Sequence, residues 1–170
     1  MNRIKIWTGV FGMLALAGTA LGSVNVDSAA NYSGGWTNGA NGGGGFGAWS
    51  LAADSGAGWA GCGIWDSAAA SLNLGYAFGF VAKGAGAVIT MDRSFAAALA
   101  AGDTFKLDLG LNYDSGGGGN KGFSLRTADN REIVVVNQGA SEVVTVNGAA
   151  AFTNYGVNTM YWTFTQVSAT

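Results

Sequence analysis

The chain has 170 residues, 49% hydrophobic and only 11% charged, with 30 Gly, no Pro, no His and one Cys. That length supports one domain with its own core. The lack of His excludes Ser–His–Asp and Cys–His machinery and histidine metal sites, while the absence of Lys/Arg clusters excludes a nucleic-acid partner.

The first residues are basic, with Arg3 and Lys5, and an apolar run covers residues 6–21. Ala20-Leu21-Gly22 puts small residues at the spacing a signal peptidase reads. The segment 1–22 therefore reads as a secretory signal peptide, cut before Ser23 or, as a second choice, after Ala20. The apolar run is shorter than the roughly 20 residues a membrane span needs, so no span is expected in the mature chain. The mature part carries six basic against ten acidic groups. Export to the extracellular space, the cell surface or the periplasm is the expectation. The single Cys62 cannot form an internal disulfide there, and it reads as a small buried hydrophobe beside Trp59 and Trp65.

Residues 31–51 are too rich in Gly for a helix but suit tight turns and backbone packed closely against rings. Residues 46–51 and 59–65 alternate as two short strands. Within 31–49 stands Asn31-Tyr32-x3-Trp36-x2-Gly39-x-Asn41-Gly42-Gly43-x-Gly45-Phe46-Gly47-x-Trp49; further on come Arg93-x-Phe95-x3-Leu99-x2-Gly102-Asp103 and Gly122-Phe123-x-Leu125-Arg126. These segments resemble a family of secreted bacterial Gly/Trp-rich domains of unknown function, some with a C-terminal surface-sorting anchor. The resemblance implies a jelly-roll sandwich similar to concanavalin A-like lectins and glucanases, and a further strand beyond the last residue given. It transfers no functional residue, and anchoring is not expected to carry over to this chain.

Tyr76, Phe78 and Phe80 share a parity and read as a core stripe on a strand. Residues 87–92 form another strand. Residues 94–101 are Ala-rich with Phe95 and Leu99 one turn apart and Gly102 as the stop, which predicts one short helix or helical turn.

The strongest pattern is residues 104–113. Phe105, Leu107, Leu109, Leu111 and Tyr113 alternate with Lys106, Asp108, Gly110 and Asn112, the period of a half-buried antiparallel strand. Three hairpins are expected to follow. The first turns through residues 115–120, pairs Leu109 with Leu125 and sets Asp108 opposite Arg126. The second turns at Asp129-Asn130 and sets Val134 beside Leu125 and Val136 beside Phe123. The third turns at residues 139–141 and brings Val144 and Val146 to the same surface. At the chain's far end, Met160, Trp162 and Phe164 alternate with Tyr161, Thr163 and Thr165 as a last strand.

The expected architecture is thus all-β, a two-sheet antiparallel jelly-roll sandwich over residues 23–170. Its chemistry is expected to be non-catalytic. Glycoside hydrolysis needs two carboxylates flanking one bond, whereas Asp108 and Asp114 stand six positions apart on one strand face, roughly 20 Å. The glutamate–aspartate–glutamate motif of similar-looking glucanases is absent. Carbohydrate binding is the sharper expectation, because sugar sites combine a flat ring with hydrogen-bonding side chains. Trp59, Trp65 and Asp66 are the first candidates, with Trp36, Trp49, Asn38 and Asn41 close in sequence. Asp108, Asn112 and Arg126 form a second candidate on a polar sheet face that lacks a ring. No cofactor is expected beyond a structural Ca²⁺ in the oxygen-rich loop 114–120, where Asp114 is the one acidic group. The alternative is a structural component of a surface layer or matrix with no small-molecule ligand.

Overall fold

A computed structural model describes residues 3–7, 10–12, 25–70, 72–110, 119–138, 143–153 and 159–168. Two antiparallel sheets pack face to face over one core. The seven-stranded sheet runs, in spatial order, Ala149–Thr153 (β11), Val143–Val146 (β10), Glu132–Gln138 (β9), Lys121–Arg126 (β8), Arg3–Trp7 (β1), Val88–Ser94 (β6) and Ser50–Asp54 (β3). The five-stranded sheet runs Thr159–Thr165 (β12), Thr104–Gly110 (β7), Val10–Gly12 (β2), Tyr76–Lys83 (β5) and Trp59–Asp66 (β4). Strands β5 to β8 alternate between the two sheets, as in a jelly roll. Among the described residues the only helical pieces are the 3₁₀ turns Ala29–Tyr32 and Ser67–Ala70, and no helix is long and apolar enough to cross a membrane.

The period-two pattern of β7 does what it predicts. Phe105, Leu107 and Leu109 are fully buried, and the outward Lys106 is exposed. The partner of that strand is not the expected one. β7 pairs with β12 and β2, while β8 pairs with β9 and β1. Leu109 therefore meets Met160, not Leu125, and the expected Asp108–Arg126 cross-strand pair does not form. The apolar residues of β7 and β8 still share a core, but from opposite sheets. Alternation specifies which face is buried, and crossing the sandwich keeps that face buried just as a hairpin would.

The next two connections follow the sequence closely. Leu125 pairs with Val134 and Phe123 with Val136. The turn between them puts Asn130 at φ 70°, closed by the Thr127 N–H donating to Arg131 O at 2.9 Å. Val146 pairs with Val136, so Val144 and Val146 join the same inward face; the expected turn at residues 139–141 lies outside the described residues. A further hairpin, β10 to β11, turns on Asn147-Gly148 with φ of 48° and 81°. Asn-Gly is the strongest two-residue hairpin signal, and this hairpin adds to the three expected from the sequence.

The helix expected over residues 94–101 is absent. Phe95 instead continues the inward parity of Ile89, Met91 and Arg93, bridges to Phe46 and stacks edge-on against Phe105 at 5.3 Å. Gly102 then turns at φ 93°, and the buried Asp103 carboxylate accepts the Ala100 N–H at 2.8 Å. Burying a Phe side chain is worth about 1.5–3 kcal/mol, more than the Ala residues gain from their helix propensity, so extended backbone wins.

At the far end Met160, Trp162 and Phe164 face inward from β12 as predicted. Phe78 and Phe80 fill the core, but Tyr76 sits at the mouth of β5 with 73% of its surface exposed and leaves the stripe. The segment read as a leader supplies β1 and β2, one strand in the interior of each sheet.

Candidate functional site

Residues of the Gly/Trp-rich segment and of the Arg93 segment converge on one buried network. Arg93 on β6 points inward at a core position with its side chain wholly buried, as does Asp27. The two form an ion pair through Nη1 and Oδ2. Arg93 Nη2 donates to Asn41 Oδ1 at 2.8 Å and to the Gly47 carbonyl at 2.6 Å. Its guanidinium lies over the Phe46 and Trp49 rings, 4.6 and 4.7 Å from their centroids. The Tyr32 hydroxyl donates to Asp27 Oδ2 at 2.8 Å and accepts the Trp49 indole N–H at 2.9 Å. Burial, foremost, and the Asp27 carboxylate push the Tyr32 phenol above its ordinary value, so it stays neutral. Asn31 closes the ring by donating to Asp27 Oδ1 at 3.2 Å.

The glycines explain how this fits. A Cβ on Gly43 would run into the Asp27 carboxyl, and one on Gly47 would stand 2.5 Å from Ser94 Oγ. Trp36 and Trp49, both buried, stack around Phe78. The network is thus a structural clasp that fastens residues 27–49 to β6. The Asp27 carboxylate, the Arg93 guanidinium and the Tyr32 hydroxyl are engaged within it, and burial removes Trp36 and Trp49 from the stacking candidates. Asn41 is spent on Arg93, and Asn38 Oδ1 accepts the Leu51 N–H at 2.9 Å.

The other two candidate tryptophans lie elsewhere. On β4, Ala60, Cys62 and Ile64 pack inward, so Trp59, Gly61, Gly63 and Trp65 face outward. The Trp59 ring lies across Gly61, where an added Cβ would stand 2.6 and 3.0 Å from two of its ring carbons. Trp65 spans Gly63 and its cross-strand partner Gly79, with ring atoms crowding the Cβ position of both. The three missing side chains let two indoles lie down on the sheet instead of standing off it. Trp59 keeps 51% of its surface exposed beside Lys83, its exposed cross-strand partner, and Trp65 is half-buried. Asp66 is exposed at the end of β4 and accepts the Ala68 N–H at 3.0 Å. Cys62 points the other way, into the core, and burial pushes its thiol above the ordinary value.

The second candidate set is separated by the fold. Asp108 lies on the outer face of the five-stranded sheet, whereas Arg126 belongs to the seven-stranded sheet and pairs with Glu132 at 2.5 Å. Asn112, Asp114 and most of the loop 114–120 lie outside the described residues. Among the described residues no three His, Cys, Asp or Glu side chains gather as a metal site. The ring missing from that face is supplied by β12: Tyr161, 77% exposed, stands directly opposite Asp108. Sequence reasoning passed over Tyr161 because it assigned β7 the wrong neighbour. Burial holds the Asp108 carboxyl above its usual range, against the pull of Lys106. Leu72 and Leu74 pack over Gly110 of β7. Ser28, Tyr32, Trp36, Thr37, Ile64 and Tyr76 line a depression of about 700 Å³.

No protein-family model, no curated protein and no solved structure matches this chain.

Proposed function

We propose that the chain is a non-catalytic, exported binding module whose outer β4–β5 face takes carbohydrate. The single observation that supports this is the pair of indoles held flat on glycine backbone, with the half-exposed Trp59 across the ladder from the exposed Lys83. A sugar ring presents an apolar face of C–H groups to such a surface and hydroxyls to its rim. Rigid aromatic contact area carries little entropic penalty on binding, which is why it serves weak, shape-based recognition. Export rests on the leader-like segment 1–22, and the lack of a catalytic role on the scattered carboxylates and the missing histidine.

A glycan array probed with the protein tests this, with Trp59→Ala, Trp65→Ala and Lys83→Ala as controls. Binding that falls at least about tenfold in Trp59→Ala, or about 1.4 kcal/mol, is the expected result. Silence across the array removes the reading. The structural alternative draws on a different feature: β4, eight residues long, is the outermost strand of its sheet. An edge of that length can add strands from neighbouring molecules. Concentration-dependent assembly of a protein that ignores every glycan would favour it.

A further inference from the structure

The interior position of β1 and β2 has a consequence for how the sandwich is closed. β1 pairs antiparallel along its whole length with β6 on one side, from Arg3–Ser94 to Trp7–Thr90. On the other side it pairs with β8, from Arg3–Arg126 to Trp7–Gly122. β2, two residues further along the chain, does the same in the other sheet. Val10 and Phe11 pair with Gly79 and Phe78 of β5, and with Gly110 and Leu109 of β7. Neither β6 and β8 nor β5 and β7 are hydrogen-bonded to each other. Each pair stands two strand spacings apart, about 10 Å.

Take β1 and β2 away and both sheets split at an interior position. One falls into β3-β6 and β8-β9-β10-β11, the other into β4-β5 and β7-β12. Four strand edges, lying in a sandwich whose core holds Met91, Phe123, Phe78 and Leu109, would then carry unpaired N–H and C=O groups. Leaving such groups unsatisfied and away from water costs about 1–3 kcal/mol each. The fold has a slot in each sheet that must hold a strand.

We propose that these slots form a strand-acceptor site and that β1 and β2 are its intramolecular donor. The ligand class is an extended polypeptide strand. It runs antiparallel to β6 and β8 and then, two residues on, antiparallel to β5 and β7. Main-chain hydrogen bonds supply the affinity, as in other strand-addition complexes. The register of Ile4 and Ile6 opposite the inward Leu125 and Phe123 supplies the pattern an occupant must match. Removal of a leader at residue 22 would cut the covalent tether to the donor, so the occupant of the slot becomes exchangeable at that step. This inference shares the leader segment and Gly79 with the carbohydrate reading, but the strand ladders carry it and not the indole face.

The test keeps the whole chain. A site-specific protease sequence replaces residues 18–23, and the folded protein is cut after purification. The expected result is that the donor fragment co-elutes with the body in native buffer and separates only in denaturant, with the β6 and β8 amides still protected from hydrogen exchange. Departure of the fragment with at least about tenfold faster exchange on β5 to β8 supports the slot equally, since it shows those edges were covered by the donor. A labelled peptide of residues 1–14, added in excess, should then enter the cut protein, and the same peptide with Ile6→Pro should not, because Pro removes the ladder N–H. Departure of the fragment with exchange on β5 to β8 unchanged overturns the proposal. So does equal entry of the two peptides.

Discussion

Replacing Arg93 by Met should be among the most damaging single changes in this protein, although Arg93 lies in a strand of otherwise ordinary core residues. Its side chain and that of Asp27 have no solvent exposure. Arg93→Met leaves the Asp27 carboxylate buried with only Tyr32 and Asn31 as donors. It also strips a donor from Asn41 and from the Gly47 carbonyl. Breaking a buried pair from one side costs about 3–5 kcal/mol. Domains hold only about 5–15 kcal/mol in total, so the variant should sit near its stability limit. For a chain of this size each kcal/mol moves the melting temperature by about 2–4 °C, so the drop should be about 6–20 °C. Asp27→Leu should cost a similar amount. The double variant, with both charges replaced by apolar groups, should lose clearly less than the two single losses together, with a coupling energy of about 1–3 kcal/mol. Guanidinium unfolding followed by tryptophan fluorescence measures all three, the midpoint reporting stability and the slope confirming that the same surface is exposed. Losses under about 1 kcal/mol in either single variant, or simple additivity in the double, would refute the account of the clasp.

Further outcomes follow from the same geometry. Gly79→Ala places a methyl group under the Trp65 ring, and should cost about 1–3 kcal/mol while shifting Trp65 emission toward that of exposed indole. Trp59→Ala should leave stability within about 0.5 kcal/mol of the parent, whereas Trp49→Ala, in the core, should lose about 3–5 kcal/mol; paired melting curves decide it. The raised Asp108 carboxyl binds its proton more tightly folded than unfolded. Its contribution to stability is therefore present in acid and lost as pH rises from its ordinary value near 3.8 through the raised one. Asp108→Asn should remove that part of the pH dependence and be slightly stabilising at neutral pH, as read from unfolding midpoints between pH 3 and 7. The Cys62 thiol, inward and held above its ordinary value by burial, should react with a thiol reagent in the native protein far more slowly than after unfolding.

The two indole platforms show how a site can be half legible. Trp59 and Trp65 were visible as candidates because flat indole rings stood close in sequence to a hydrogen-bonding side chain, Asp66. Gly79 was not, because it reaches Trp65 only across the β4–β5 ladder. Arg93 stood in a motif without a role. Its parity with Ile89, Met91 and Phe95 already placed a cation on a buried face, and a buried cation demands a partner. That partner, Asp27, is 66 residues away, a distance no local pattern spans. Asp108 and Arg126 failed as a pair for the same reason that Tyr161 was overlooked: both depend on which strand lies beside β7.

By itself the sequence determined which residues are inside. The alternations in β7, β8, β9, β10 and β12 each put their apolar set into the core, because side chains on a strand can point only to one face or the other. It also determined the turn at Asn130, where local chemistry suffices. Only the tertiary structure decided which strands are neighbours, since a period of two is satisfied by a hairpin and by a crossing of the sandwich alike. The same holds for residues 94–101, where packing of Phe95 overrode a helical composition, and for β1 and β2. These two strands lie where two ladders would otherwise stand open, because backbone groups in a sheet must find partners wherever the chain supplies them.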